Sequence, residues 1–212
     1  MENIERKKFY LFRHGETNWN LERKVKGHSD NIDTRFTDLG YTQLNQVIEM
    51  IEKAGVQAIF SSDLHRTHNS SLYINEKLNL PVYYTKTLRG LNMGVLEGKT
   101  IDELKDIKES IVGLTDYNIP MPNGESINQL IERIERLMDY IYNSYQYNNI
   151  ALITHGAVVS NIKSAIKKDD YEHIDYCFVG YDGKTFDVFD DGTYTGNIRE
   201  KVLVRKNRGL YE

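Results

Sequence analysis

The sequence predicts one α/β domain, a three-layer α/β/α sandwich built on a mostly parallel sheet. Three observations predict it. Short, wholly apolar runs at Phe9–Phe12, Ala58–Phe60 and Ile150–Ile153 have the look of strands buried on both faces, the usual condition of a parallel sheet. Between them lie segments whose apolar residues recur at intervals of three and four, the helical period. The chain of 212 residues carries no internal repeat, low-complexity tract or linker, and this length suits a single core. Residues 1–212 therefore read as one domain.

The first run, Phe9-Tyr10-Leu11-Phe12, stops at once in Arg13-His14-Gly15-Glu16-Thr17. Polar groups at the end of a buried strand stand where open α/β sheets place their ligands. Leu44, Val47, Ile48 and Ile51 then follow helical spacing. Ala58-Ile59-Phe60 forms the second strand, breaking into Ser61-Ser62-Asp63 and a helix that carries Leu64, Leu72 and Leu78. Pro81-Val82-Tyr83-Tyr84 is a third, short strand. Thr100 with Glu103 makes a capping box ahead of a helix through Leu104, and Ser126 with Gln129 makes a second. The helix opened by Ser126 is the clearest in the chain, with Ile127, Leu130, Ile131, Ile134, Leu137, Met138 and Ile141 on one stripe. Ile150–Ile153 is another buried strand and ends in Thr154-His155-Gly156. Two further strands flank Asp182-Gly183, a favoured hairpin pair, and the tail from Ile198 to Val204 adds an edge strand. The segment 107–125 holds two of the three prolines and reads as a lid or insert.

Composition narrows the function. Hydrophobic residues make up 40% and charged residues 27%, ordinary values for a globular protein and far from those of a disordered one. The net charge of −4 offers nucleic acid no overall attraction. A single cysteine, Cys177, forms neither an internal disulfide nor a thiolate metal cluster, which fits a reducing, cytoplasmic setting. In its strand-like run Cys177 is expected to be buried and inert. The charged start, Met1 to Lys8, reads as neither a signal peptide nor an anchor. No stretch approaches the roughly 18 apolar residues of a membrane span.

Three junctions between strand and helix carry the chemistry: Arg13-His14-Gly15-Glu16-Thr17-Asn18-Trp19-Asn20, Ser61-Ser62-Asp63-Leu64-His65-Arg66-Thr67 and Thr154-His155-Gly156. In these motifs, and in this order, the chain closely resembles the histidine phosphatase superfamily, which includes cofactor-dependent phosphoglycerate mutases and many small-molecule phosphatases. Lys26-Gly27 followed by Asp30, Thr37, Gly40 and Gln43 is similar to the family's segment after the first strand. Pro122-Asn123-Gly124-Glu125-Ser126 is similar to an element at the mouth of its site. The matches cover roughly residues 8 to 160. The resemblance implies a phosphoglycerate mutase-like fold, a nucleophilic His14, a phosphate pocket completed by Arg13, Arg66 and His155, and contacts from Asn20, Thr17, Lys26, Gly27 and Gly156.

Elementary chemistry agrees with that implication. A transferring phosphoryl group spreads negative charge over three oxygens and requires cations and donors placed beforehand. Arg13 and Arg66 offer planar forks that each match two phosphate oxygens. A protonated His155 adds a third charged donor, and Asn20 a neutral one. His14 attacks only when the reacting nitrogen is unprotonated and an acceptor holds the other. No metal or other cofactor is needed. A lone histidine after a strand is ordinarily a hydrogen-bonded core residue, and an arginine at a helix start is ordinarily on the surface. Four such residues at three junctions are not so easily dismissed.

One departure stands out. The family's usual proton donor is a glutamate in a Leu-Arg-Glu stretch, and this chain reads Leu88-Arg89-Gly90-Leu91-Asn92-Met93-Gly94. Glycine cannot donate a proton, so the acid is expected from Asp33, Glu97 or Glu125. Failing that, the enzyme is slow or restricted to good leaving groups such as acyl or aryl phosphates. The resulting expectation is a metal-independent phosphomonoesterase, monomeric or homodimeric, acting on a small phosphorylated metabolite or a phosphopeptide, with neither nucleic acid nor membrane as a partner. The competing readings are an impaired phosphate- or phosphopeptide-binding protein and a phosphoglycerate mutase. Lys26 stands ready to meet an extra acidic group on the substrate.

Overall fold

The computed structural model describes residues 7–105, 107, 116–166, 171–181, 186–189 and 201–205. Its strands are β1 (Lys7–Arg13), β2 (Ala58–Ser62), β3 (Val82–Thr85), β4 (Asn149–Thr154), β5 (Tyr171–Tyr181), β6 (Phe186–Phe189) and β7 (Lys201–Arg205). Its helices are α1 (Asn18–Leu21), α2 (Asp38–Lys53), α3 (His65–Leu78), α4 (Ile101–Lys105), α5 (Ile127–Ser144) and α6 (Gly156–Ile166). The described strands form one sheet in the order β3-β2-β4-β1-β5-β6, with β7 also pairing with β5. β3, β2, β4, β1 and β5 run parallel; β6 and β7 pair antiparallel with β5.

Alternation along the strands shows why helices cover both faces. Phe9, Leu11, Ala58, Phe60, Ile150 and Leu152 point to one side, where they meet Leu130, Ile134, Met138 and Ile141 of α5 and Val158, Val159 and Ile162 of α6. Tyr10, Phe12, Ile59, Ala151 and Ile153 point to the other and meet Leu44, Val47, Ile48 and Ile51 of α2 and Ile74 of α3. A central strand with apolar groups on both faces must be sandwiched, since either face left in water forfeits roughly 25 cal/mol per Å². Both capping boxes form: Ser126 accepts from the Gln129 amide while Gln129 accepts from that of Ser126, and Thr100 and Glu103 exchange the same pair of bonds.

The helix α3 departs from expectation. Leu72 is 47% exposed, and the inward face is instead Arg66, Thr67, Ser70, Ser71 and Ile74. The helix lies against the end of β1, where the Ser70 hydroxyl accepts from the Gly15 amide at 3.2 Å, while Thr67 and Ser71 donate to the carbonyls of Leu64 and His68. Apolar spacing is a poor guide where a helix packs against a polar site. The hairpin turn at Asp182-Gly183 falls outside the described residues, although β5 and β6 pair as a hairpin requires. Cys177 lies in β5 opposite Tyr10, and its side chain is outside the described set. Within the 107–125 segment, Ile107 and Met121 pack on the core, while residues 108–115 lie outside the described set. Among the described residues no helix is long and apolar enough to cross a membrane.

Leu152 is fully buried in β4, flanked by β1 and β2. Leu152→Ala is expected to cost about 2–5 kcal/mol of unfolding free energy, read as a lower midpoint in urea at an unchanged slope.

Candidate active site

The register of two neighbouring strands assembles the centre. Arg13 of β1 pairs with Thr154 of β4, so the next residues, His14 and His155, leave the same sheet edge side by side. Their rings lie edge to face with centroids 5.5 Å apart, and both are 4% exposed. The chain turns sharply after His14 because Gly15 nests against α2. A Cβ there would stand 2.9 Å from the Gly40 carbonyl oxygen and 3.0 Å from Leu44 Cγ. Gln43 accepts from the Glu16 amide at 2.8 Å and Thr37 donates to the Glu16 carboxylate at 2.8 Å, which ties the turn to the N-terminal part of α2.

His14 Nδ1 lies 2.8 Å from the carbonyl oxygen of Gly15. A carbonyl only accepts, so the proton sits on Nδ1 and Nε2 keeps its lone pair. Burial, followed by the charges of Arg13 and Arg66, pushes the His14 pKa well below its ordinary value, so the free imidazole is neutral. The same forces act on His155: burial first, then Arg66. His155 Nε2 shares a 2.9 Å hydrogen bond with Ser62 Oγ. Its Nδ1 is buried without a hydrogen-bond partner among the described residues, as is Arg66 Nε. Buried polar atoms ordinarily find partners, and two left over on residues that line one cavity favour an anion.

The two histidines, Arg13, Arg66, Lys26, Gly27, Asn20, Gly90 and Gly156 line one cavity of about 370 Å³. Arg66 comes from the first turn of α3 and is 3% exposed; it donates to the Ser29 and Gly27 carbonyls at 3.0 and 2.8 Å. The Arg13 side chain runs along Gly156, where a Cβ would lie 3.5 Å from Arg13 Nε. Asn20 Oδ1 accepts from the Thr17 amide and hydroxyl, which turns its amide nitrogen to the cavity. Lys26 is driven down to about 8, by burial first and then by Arg13 and Arg66. Cations that lower one another's pKa in this way favour the arrival of an anion, which relieves the repulsion.

The structure separates the other sequence candidates from this cavity. Thr17 is fully buried and holds Asn20 instead of lining the wall. Asp33 is exposed on the loop before α2. Glu97 accepts from the His28 amide, the Ser29 hydroxyl and the Met93 amide. Glu125 accepts from the Asn92 amide and from Arg133. Among the described residues no carboxylate lines the cavity. The sequence reading missed Ser62, Ser160, Asn161 and the apolar wall of Leu91, Met93 and Ile127. It also missed Arg133 of α5, which donates to the carbonyls of Thr87, Arg89 and Gly90. Ser62 stands inside a quoted motif and Asn161 on the helix that follows another, yet only the fold shows that they face inward. Among the described residues no group of three His, Cys, Asp or Glu gathers to hold a metal ion.

Comparison with known proteins gives this arrangement a context. Residues 9–185 match the model of the histidine phosphatase superfamily, branch 1. The chain is 35% identical over 162 residues to a protein of Escherichia coli O1:K1 named "Probable phosphoglycerate mutase GpmB", a match that covers 74% of this chain and 73% of that one. Among solved structures, Bacillus stearothermophilus YhfR superposes with a TM-score of 0.68 at 25% identity, covering 88% of this chain and 97% of its own. A mycobacterial glucosyl-3-phosphoglycerate phosphatase superposes with a TM-score of 0.68 at 21% identity, covering 84% and 95%, a likeness of fold.

The depressed pKa of Lys26 has a measurable consequence. Affinity for inorganic phosphate, measured by titration calorimetry, is expected to fall as the pH rises past about 8, where Lys26 loses its charge. Lys26→Arg, charged throughout, removes that fall. A profile unchanged by the substitution assigns it to another group.

Proposed function

The chain belongs to the histidine phosphatase superfamily, and from that premise we propose that it hydrolyses phosphomonoesters through a phosphohistidine formed on His14. The observation that carries the reading is the unprotonated Nε2 of His14 at a cavity walled by Arg13, Arg66, Lys26, Asn20 and His155. The phosphoryl group of the substrate is held by these cations and donors. As Nε2 attacks phosphorus, the bond from phosphorus to the alcohol oxygen breaks, and the developing charge stays on oxygens that Arg13 and Arg66 address. Burial keeps His155 neutral in the free protein, and an arriving dianion favours its protonation. Water then attacks the phosphohistidine, which frees phosphate and restores His14.

The departing alcohol also requires a proton or an acidity of its own. Gly90 lines the cavity, and a Cβ there would lie 3.3 Å from His155 Cβ and 3.6 Å from the Gly27 carbonyl oxygen. The place faces the reacting centre and holds no side chain. Substrates with stable leaving groups, aryl or acyl phosphates among them, are therefore the favoured class, since general acid catalysis is worth about a hundred- to ten-thousandfold. A mutase must reprotonate and rephosphorylate a bound product, so the missing acid handicaps it most.

Phosphate release from para-nitrophenyl phosphate without added metal tests the reading. Wild type is expected to be active and inhibited by vanadate, and His14→Ala inactive. Equal silence of both, with phosphate still bound, would make the chain a binding protein. Isomerisation of a phosphoglycerate, given the bisphosphorylated form, would make it a mutase. Gly90→Glu is expected to raise turnover of alkyl phosphates by about a hundredfold or more, with little gain for the aryl ester. Equal rates for the two proteins place the acid elsewhere.

A further inference from the structure

Arg66 is nearly inaccessible to solvent, and a buried guanidinium keeps one geometry only if its surroundings dictate it. What dictates it is the loop from Lys24 to Asp30. The loop enters along residues 98–100: the Val25 amide donates to the Lys99 carbonyl, and the Gly98 amide to the Val25 carbonyl, each at 2.8 Å. It then turns through Gly27, whose φ of +50° is in the left-handed region. The carbonyls of Gly27 and Ser29 accept two of the Arg66 nitrogens. The Gly27 carbonyl and the His28 amide are the two ends of one peptide group, and the Glu97 carboxylate accepts from that amide.

Glu97 Oε1 accepts from the His28 amide at 2.6 Å and from the Met93 amide at 3.2 Å, and Oε2 accepts from the Ser29 hydroxyl at 2.6 Å. A Cβ at Gly27 would run into the same carboxylate, so carboxylate and loop are in close contact. Both oxygens of the carboxylate are thus occupied by donors. Charge favours the arrangement too: burial opposes the Arg66 cation, and Asp30 and then Glu97 support it. Asp30 is itself engaged at the start of α3, accepting from the His65 amide.

We propose that Glu97 is the positioning residue for the phosphate-binding arginine: by clasping the His28 peptide and the Ser29 hydroxyl, it fixes the two carbonyls that aim Arg66 into the cavity. The inference rests on the reading of the cavity as a phosphate site. Gln at 97 keeps the size and loses one acceptor, so an N–H group would face the donors of His28 or Ser29.

The test is a double-mutant cycle on inorganic phosphate affinity by calorimetry, using wild type, Glu97→Gln, Arg66→Met and the double variant. Glu97→Gln is expected to weaken phosphate binding by about tenfold, and to add no more than about twofold in the Arg66→Met background. Fully additive losses overturn the proposal, as does undiminished affinity in Glu97→Gln. Should Glu97→Gln not fold, Ser29→Ala removes one donor to the carboxylate and is expected to show a smaller loss with the same dependence on Arg66. Hydrolysis separates positioning from proton donation. A positioning role lowers kcat/KM for an aryl and an alkyl phosphate by the same factor. A loss confined to the alkyl ester, with phosphate affinity intact, makes Glu97 the acid and overturns the proposal. If neither ester is cleaved by any form while the phosphate cycle shows coupling, the positioning role stands and the hydrolase reading fails.

Discussion

The constraint on which the site depends is the cost of gathering positive charge around a buried imidazole that has to stay neutral. Arg13, Arg66 and Lys26 share a cavity with His14 and His155, and such cations repel one another strongly at low dielectric. The fold tolerates this because backbone carbonyls fix two of the participants. The Gly15 carbonyl holds the proton on His14 Nδ1, and two loop carbonyls hold Arg66. Carbonyl oxygens offset part of the desolvation of a cation without neutralising it, and the field stays directed at the cavity. A carboxylate in direct contact with Arg66 would have satisfied it more fully and left less charge for an anion.

From that constraint follows the layered character of the surroundings. Carboxylates are present, one step removed. Asp30 accepts from the start of α3, Glu97 clasps the loop that holds Arg66, and Glu125 grips Arg133. Asp63 forms a two-pronged ion pair with Arg89, with contacts of 2.7 and 2.6 Å. Each is engaged with a segment that adjoins the wall. The acids thus serve the geometry of the cations, and the cations are left to face the cavity.

Much of this was legible in the sequence, for identifiable reasons. The strands β1, β2 and β4 announced themselves because residues buried on both faces leave no polar gaps, and the α5 stripe because its period is long and regular. His14, Arg66 and His155 were visible as polar residues at the ends of apolar runs. Their convergence depends on register, Arg13 opposite Thr154, which local pattern does not specify. Ser62 and Arg133 escaped notice because a serine or arginine beside a strand or on a helix has no local signature of pointing inward. Leu72 misled for the mirror reason: α3 packs its hydroxyls inward, so an exposed leucine looked like core. The three candidate acids were sensible as residue types. The structure engages Glu97 and Glu125 with donors and leaves Asp33 exposed, relations among residues far apart in the chain.

The consequences of Gly90 depend on how firmly its peptide is held. His28 Nε2 donates to the Gly90 carbonyl at 2.9 Å and Arg133 donates to it at 2.7 Å. With two donors on this carbonyl, the wall at position 90 is well-supported backbone. Such a site separates the two halves of a phosphotransfer. On the proposed reaction, forming a phosphohistidine would expel the substrate's alcohol, whose acidity would then govern the barrier. Its hydrolysis would expel the His14 imidazole, which is the same for every substrate. On that proposal, any selectivity created by the absence of a side chain at Gly90 would lie in the first half-reaction, and a substrate that passes it would meet a common second barrier. A cavity with strong anion binding and weak leaving-group assistance discriminates among phosphates by the alcohol they release, and this holds even where they bind equally well.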